Sequence, residues 1–140
     1  MANTFLRGSG RISIQADVHD LYKSLSADGK GIELAPFETM KDVFMAAACL
    51  GFKLGKRRTL VGKREQPIQF SVFKDQTDIP ILKAIALATS HDVNTLVDHE
   101  KMVEIAEEYA NAGIGELRLR LAEDQSQDPL WLLVDMIRTN

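Results

Sequence analysis

Six cationic side chains fall within the stretch 53–64: Lys53, Lys56, Arg57, Arg58, Lys63 and Arg64. No acidic residue interrupts them. Such a density of positive charge points to a surface that meets phosphate or an acidic protein partner. The plainer alternative is a solvated loop whose charges keep the surface soluble. Bond-making chemistry finds no comparable candidate. His19, His91 and His99 are each isolated from a cysteine and share no metal-ligand spacing, so no metal site is expected. Ser90, His91 and Asp92 contain the letters of a nucleophilic triad, but adjacent residues cannot bring three side chains to one point. Gly51, Gly55 and Lys56 lack the spacing of a phosphate-binding P-loop and the hydroxyl residue after its lysine. Asp75 and Asp78 hint at the paired carboxylates of a nuclease but read better as turn and capping residues. Phe52, Phe70 and Phe73 flank the basic stretch, and core packing explains them more simply than base stacking. The expectation is a non-enzyme with no cofactor.

The basic segment needs an element to hold it, and the sequence supplies one immediately upstream. Val43 to Leu50 is an unbroken apolar run rich in alanine, methionine and leucine, which favours a helix buried on most sides. Thr39 followed by Asp42 makes a loose capping box, and Asp42 also suits the positive end of the helix dipole. Gly51 is the expected C-terminal stop. The predicted central helix therefore spans 39–50. Gly55 and Gly62 break regular structure beyond it, leaving Thr59–Val61 room for only a very short strand.

Composition agrees with one ordinary domain. The chain has 140 residues, 45% hydrophobic and 26% charged, enough to bury a core without staples. A net charge of −3 argues against a protein coated in nucleic acid. The charge is unevenly placed: the basic stretch carries +6, whereas Asp92 to Asp135 holds 11 acidic residues against Lys101, Arg118 and Arg120, or −8. That polarity suits head-to-tail contacts between chains or one basic face on an acidic body. The lone Cys49 fits a reducing compartment and packs as a small apolar residue. No apolar run is long enough for a membrane helix, and the N-terminus lacks a signal-peptide core. A cytoplasmic protein is expected.

The other elements follow in order. Residues 1–10 read as a flexible arm and 11–140 as a single globular domain. Ile12 and Ile14 alternate in a short strand over 11–15. Asp17 is a candidate cap for a helix carrying Val18, Leu21, Tyr22 and Leu25. A second strand is predicted over 68–73, from alternation at Ile68, Phe70 and Val72. Pro80 opens an apolar helix that ends near Ser90, and 93–97 suits one short turn. Asp98 caps a helix running to about Asn111, with Gly113 as its stop. Residues 116–123 fit either a helix or a strand, with propensity favouring the helix. Asp128 and Pro129 open an amphipathic closing helix with Leu130, Leu133, Val134 and Ile137. The fold class is α+β and mostly α-helical. About five or six helices pack around the central one, with a small two- or three-stranded sheet.

Several segments together resemble a known family. They are Phe37 to Gly51 (FETMKDVFMAAACLG), Gly55-Lys56-Arg57, Phe70 to Phe73, Ile81 to Ala88, and Ile105 to Ile114 (IAEEYANAGI). In order and spacing they are similar to the Dnd system-associated protein 4 family, small bacterial proteins encoded beside DNA phosphorothioation modification and restriction genes. The resemblance covers about residues 12 to 138. It implies company in anti-phage defence and transfers no residue roles. The leading expectation is a non-catalytic accessory protein that binds DNA or another protein of the defence system through the six basic residues. The alternative is a scaffold or homo-oligomerisation subunit that never touches DNA. A transcription regulator is weaker still, because the basic residues sit in a glycine-broken loop and not on a recognition helix.

Overall fold

The computed structural model describes residues 10–27 and 35–123. The element order is β1 (Arg11–Gln15), a 3-10 turn (Ala16–Val18), α1 (His19–Leu25), α2 (Met40–Leu54), β2 (Arg64–Gln69), a 3-10 turn (Phe70–Val72), α3 (Asp78–Ser90), a 3-10 turn (Val93–Val97) and α4 (His99–Glu123). The fold is α+β and mostly helical, with a two-stranded antiparallel sheet. Residues 1–9 of the expected arm and the closing helix expected at 129 onward lie outside the described residues, whereas the Gly10 carbonyl accepts from the Phe70 N–H at 2.9 Å.

Helix α2 is the centre of the core, as its apolar run demands. Val43, Phe44, Ala47 and Ala48 have no measurable exposure. Thr39 caps it: the Asp42 N–H donates to Thr39 Oγ1 at 3.2 Å, and the Thr39 hydroxyl donates to Asp42 Oδ2 at 3.0 Å. The predicted end is corrected, however. Helix α2 runs through Gly51 to Leu54, and Gly55 is the left-handed cap, with φ 68°. Gly51 serves packing instead: a methyl group there would overlap the Tyr109 carbonyl of α4.

The same crossing corrects the helix count. The described residues hold four α-helices, where five or six were expected. The segments read as two helices on either side of Gly113 are one helix, α4, of 25 residues. Gly113 does not stop it, because its glycine is required by close approach: a methyl group would overlap the Ala47 carbonyl of α2. Gly51 lies against Tyr109 and Gly113 against Ala47, so the two helices run antiparallel with backbones almost touching. The ambiguous 116–123 segment is helical, with Leu117 fully buried.

Strand β1 matches its predicted bounds and buries Ile12 and Ile14. It pairs with β2 in the register Arg11↔Gln69, Ile12↔Ile68, Ile14↔Glu65 and Gln15↔Arg64, with an irregularity between Ile12 and Ile14. The strand predicted at 68–73 is corrected to Arg64–Gln69, and Thr59–Val61 stays outside the sheet. The chain leaves the sheet at Phe70 because Phe73 must turn inward. Its ring meets Phe44 edge-on at 6.1 Å in the core. Pro67 is tolerated within β2 because that strand has one unpaired edge among the described residues.

Pro80 and Asp98 take their expected places at helix starts, and Asp17 does not. Pro80 lies in the first turn of α3. The Asp98 carboxylate accepts from the Lys101 N–H at 3.1 Å at the start of α4. Asp17 does not cap α1; it lies in the 3-10 turn and accepts from Gln15 Nε2 at 3.1 Å. Buried Lys41 joins the starts of α2 and α3, with Nζ 2.8 Å from Asp78 and 3.2 Å from Asp42. Burial alone would lower its pKa, but its hydrogen bonds to Asp78 and then Asp42 outweigh that and raise it. No helix among the described residues is long and apolar enough to cross a membrane.

Candidate functional site

The basic stretch 55–63 has no regular secondary structure, yet its backbone is held along its length. Where α2 ends, the Lys56 N–H donates to Gly51 O at 2.9 Å and the Gly55 N–H to Phe52 O at 3.1 Å. This closes the helix and turns the chain back over α4. The Arg58 N–H donates to the Glu108 carbonyl at 3.1 Å. Asn111 of α4 then grips the loop from below. Its amide donates to Arg58 O at 3.2 Å, to Thr59 O at 3.4 Å and to Gln15 Oε1 at 2.9 Å. Gln15 Oε1 also accepts from the Val61 N–H at 3.0 Å. Between these points Leu60 plugs into the core with 6% exposure. The Ala16 N–H donates to Lys63 O at 2.8 Å and ties down the far end. The segment is a strap, fixed by β1 and α4.

The six predicted residues take different positions on it. Lys53 lies exposed in the last turn of α2, favourable to the negative end of the dipole. Lys56 Nζ is 3.0 Å from Glu116 Oε1, with 57% of the lysine side chain still exposed. Arg57 is the more buried of the paired cations. Its Nε donates to Glu108 Oε1 at 2.6 Å, and its guanidinium lies 5.8 Å from the centre of the Tyr109 ring. Tyr109 is itself fixed, by Thr89 Oγ1 at 2.9 Å and by the Phe52 ring edge-on at 5.5 Å. Arg58 is exposed and makes no ion pair with a described residue. Lys63 reaches Glu65 only at 3.9 Å and is almost fully exposed. Arg64 begins β2, and its charge acts on Glu107.

The strap and α4 enclose a groove of about 500 Å³. Gly55, Lys56, Arg57 and Arg58 form one wall, and Ala112, Gly115, Glu116, Arg118 and Leu119 form the other. Four cations and one carboxylate line it. Arg118 belongs to the stretch that reads as acidic in sequence, so the charge count gave no sign of its place here. Helical spacing does carry a signal, since 112, 115 and 119 share one face of a continuous helix. The Lys56 hydrogen bond, then its charge, holds the Glu116 carboxyl below its ordinary range.

A second polar cluster lies beneath the strap. The Ser13 N–H donates to Glu107 Oε2 at 2.6 Å, and Gln66 Nε2 donates to Ser13 Oγ at 3.0 Å. Burial pushes the Glu107 carboxyl up to about 7, against the Ser13 hydrogen bond and the Arg64 charge; Glu104 and Glu108 add to the rise. Burial also raises the Tyr22 hydroxyl, with help from the Glu107 charge. A carboxyl titrating near neutrality suits proton transfer. The pocket beside it, lined by Ile14, Val18, Tyr22, Leu60 and Ile114, has no volume for a water molecule. Ser90, His91 and Asp92 form a helix end, with the Asp92 N–H donating to Ser90 Oγ at 3.2 Å. The described residues contain no group of three or more His, Cys, Asp or Glu side chains able to hold a metal.

The family model for DNA sulphur modification system-associated protein 4 matches residues 11–140. The chain belongs to this family. No curated protein and no solved structure matches it. The family description ties the chain to a DNA sulphur modification system, in agreement with the resemblance seen in the sequence. The segments that carried that resemblance have a structural job in common. In EEYANAGI, Glu107 holds β1, Glu108 holds Arg57, Asn111 holds the strap and Gly113 admits α2. In GKR, Gly55 turns the chain and Lys56 and Arg57 pair with α4. These two segments of the chain build the strap and its seat.

Proposed function

We propose that this family member is a non-catalytic accessory protein of a DNA-phosphorothioation-linked anti-phage defence system, and that it contacts DNA through the strap. The observation that carries the reading is the rigidity of the strap. Hydrogen bonds with Asn111, Gln15 and Glu108 fix its backbone, while Arg58 lies exposed on the groove with Lys56 and Arg118, and Lys63 is exposed at the strap's far end. Preorganised cations lose little freedom when they meet phosphate. The pairs Lys56–Glu116 and Arg57–Glu108 anchor the strap, so the free charge available to a ligand is smaller than the six cations suggest. Phosphate contact without base readout implies weak sequence preference and an affinity that falls steeply with salt.

The scaffold reading rests on the acidic stretch of one chain meeting the basic stretch of another. Its charge argument is weakened by the contacts within one chain, because Glu108 and Glu116 already face Arg57 and Lys56. An electrophoretic mobility shift with a short DNA duplex decides between them. A low-salt shift that disappears in the double variant Arg58→Glu, Lys63→Glu supports the DNA reading. A shift of equal strength in that variant rejects the strap as the contact. Absence of any shift from the wild-type chain, together with salt-sensitive self-association in sedimentation, supports the scaffold.

A further inference from the structure

Helix α4 contains two glycines in its middle turns, Gly113 and Gly115, and among the described residues only Gly113 meets a neighbour that requires glycine. Gly113 is required by the α2 crossing. Gly115 has ordinary helical backbone, since positive φ among the glycines occurs only at Gly55 and Gly62 within the described residues. Apart from its chain neighbours and the backbone of its own helix, no described atom lies within 4 Å of a β-carbon built on it. Alanine would therefore fit without a clash and would favour the helix, because glycine is among the poorest residues for a helix interior. Gly115 is exposed, and what it faces is the cationic groove. Any side chain there would project into the space between Lys56 and Arg58 on one wall and Arg118 on the other.

We propose that Gly115 is a ligand-binding position: its missing side chain keeps the groove open so that a phosphodiester of a DNA strand can settle against α4 between Lys56, Arg58 and Arg118. The inference rests on the DNA reading of the strap and adds the seat and the residue that shapes it. Two observations independent of the glycine support an anion there. Arg58 and Arg118 form no ion pair with a described residue, and the one carboxylate of the groove, Glu116, is already engaged by Lys56. A phosphate supplies the acceptors that these two exposed guanidiniums lack among the described residues, and arginine matches its geometry with paired N–H donors.

The experiment titrates a short fluorescently labelled duplex with the full chain across a salt series, following anisotropy, for the wild type, Gly115→Ala, Gly115→Met, Arg118→Gln and Arg58→Glu. Thermal melts of each variant accompany the binding data. Gly115→Ala is expected to raise the melting temperature by about 2–4 °C and yet weaken binding. Gly115→Met fills the groove and is expected to weaken binding about ten-fold and to reduce the dependence of log affinity on log salt by about 1, because the seated phosphate loses its cations. Arg118→Gln is expected to reduce that slope by about 1. Wild-type binding by Gly115→Met, combined with loss in Arg58→Glu, overturns the groove and leaves the strap reading in place. No salt-dependent binding by the wild type overturns both. Competition by polyglutamate at the same charge concentration, abolished equally by Gly115→Met, assigns the groove to an acidic protein and overturns the DNA seat.

Discussion

Glu107 is an acid whose environment departs from that of an ordinary surface carboxyl. Burial beneath β1 lifts its carboxyl to about 7 from an ordinary 4.5, although the Ser13 N–H still donates to one oxygen. Between those two values the folded chain holds a proton that the unfolded chain has released. Stability therefore falls as pH rises through that window and levels off above it. Glu107→Gln keeps the shape and an acceptor for Ser13 but removes the charge. Melting temperatures of this variant should be nearly independent of pH from 4.5 to 7, and above pH 7 they should exceed the wild type's. A wild-type curve that rises across the window, or a variant curve that follows the wild type's slope, would contradict the buried-carboxyl assignment. At this scale the sequence was informative wherever the chemistry is local. Thr39 and Asp98 cap the helices they precede because a cap needs only a hydroxyl or carboxylate and the next few N–H groups. Asn111 and Gln15 could not be recognised in this way. They are 96 residues apart and meet only in the fold.

Among the elements, the α2–α4 crossing sets where the strap lies. Gly51, Ala47 and Ala48 on one helix and Gly113 on the other let the backbones approach closely, and that approach carries Glu108, Asn111 and Glu116 beneath the loop leaving α2. Glycine after an apolar helical run is the commonest stop signal, so both glycines read as ends. Which role a glycine plays is decided by the partner helix, and a single sequence does not reveal the partner. The same reasoning explains the merging of two predicted helices into α4 and the shift of β2 upstream, where the inward turn of Phe73 outranks alternation. Gly113→Ala is expected to destabilise by about 3 kcal/mol, since the added methyl meets backbone with no flexible neighbour to yield. Chemical denaturation measures this directly. The same substitution two residues later, at Gly115, should have the opposite sign. Equal effects at the two positions would show that the crossing is looser than its geometry implies.

For the whole molecule, the basic stretch and the acidic C-terminal half are parts of one structure. In sequence they are separate blocks of +6 and −8, which suggested contact between chains. In the fold, part of each block neutralises the other and thereby stiffens the strap, while Arg58, Lys63 and Arg118 stay exposed. The α+β class, the central helix and the location of the basic surface could be read from sequence because patterning and composition carry them. The groove and the contribution of Arg118 depend on a tertiary crossing and could not. We propose that the prebuilt cationic strap over α4 is the face that contacts DNA. Backbone amide chemical-shift mapping during titration with a duplex at low salt tests it most directly. The account predicts shifts confined to 55–63 and to the groove face of α4 around Ala112, Gly115 and Leu119, reversed by added salt. Shifts centred elsewhere on the chain, or no shift at saturating duplex, would contradict it.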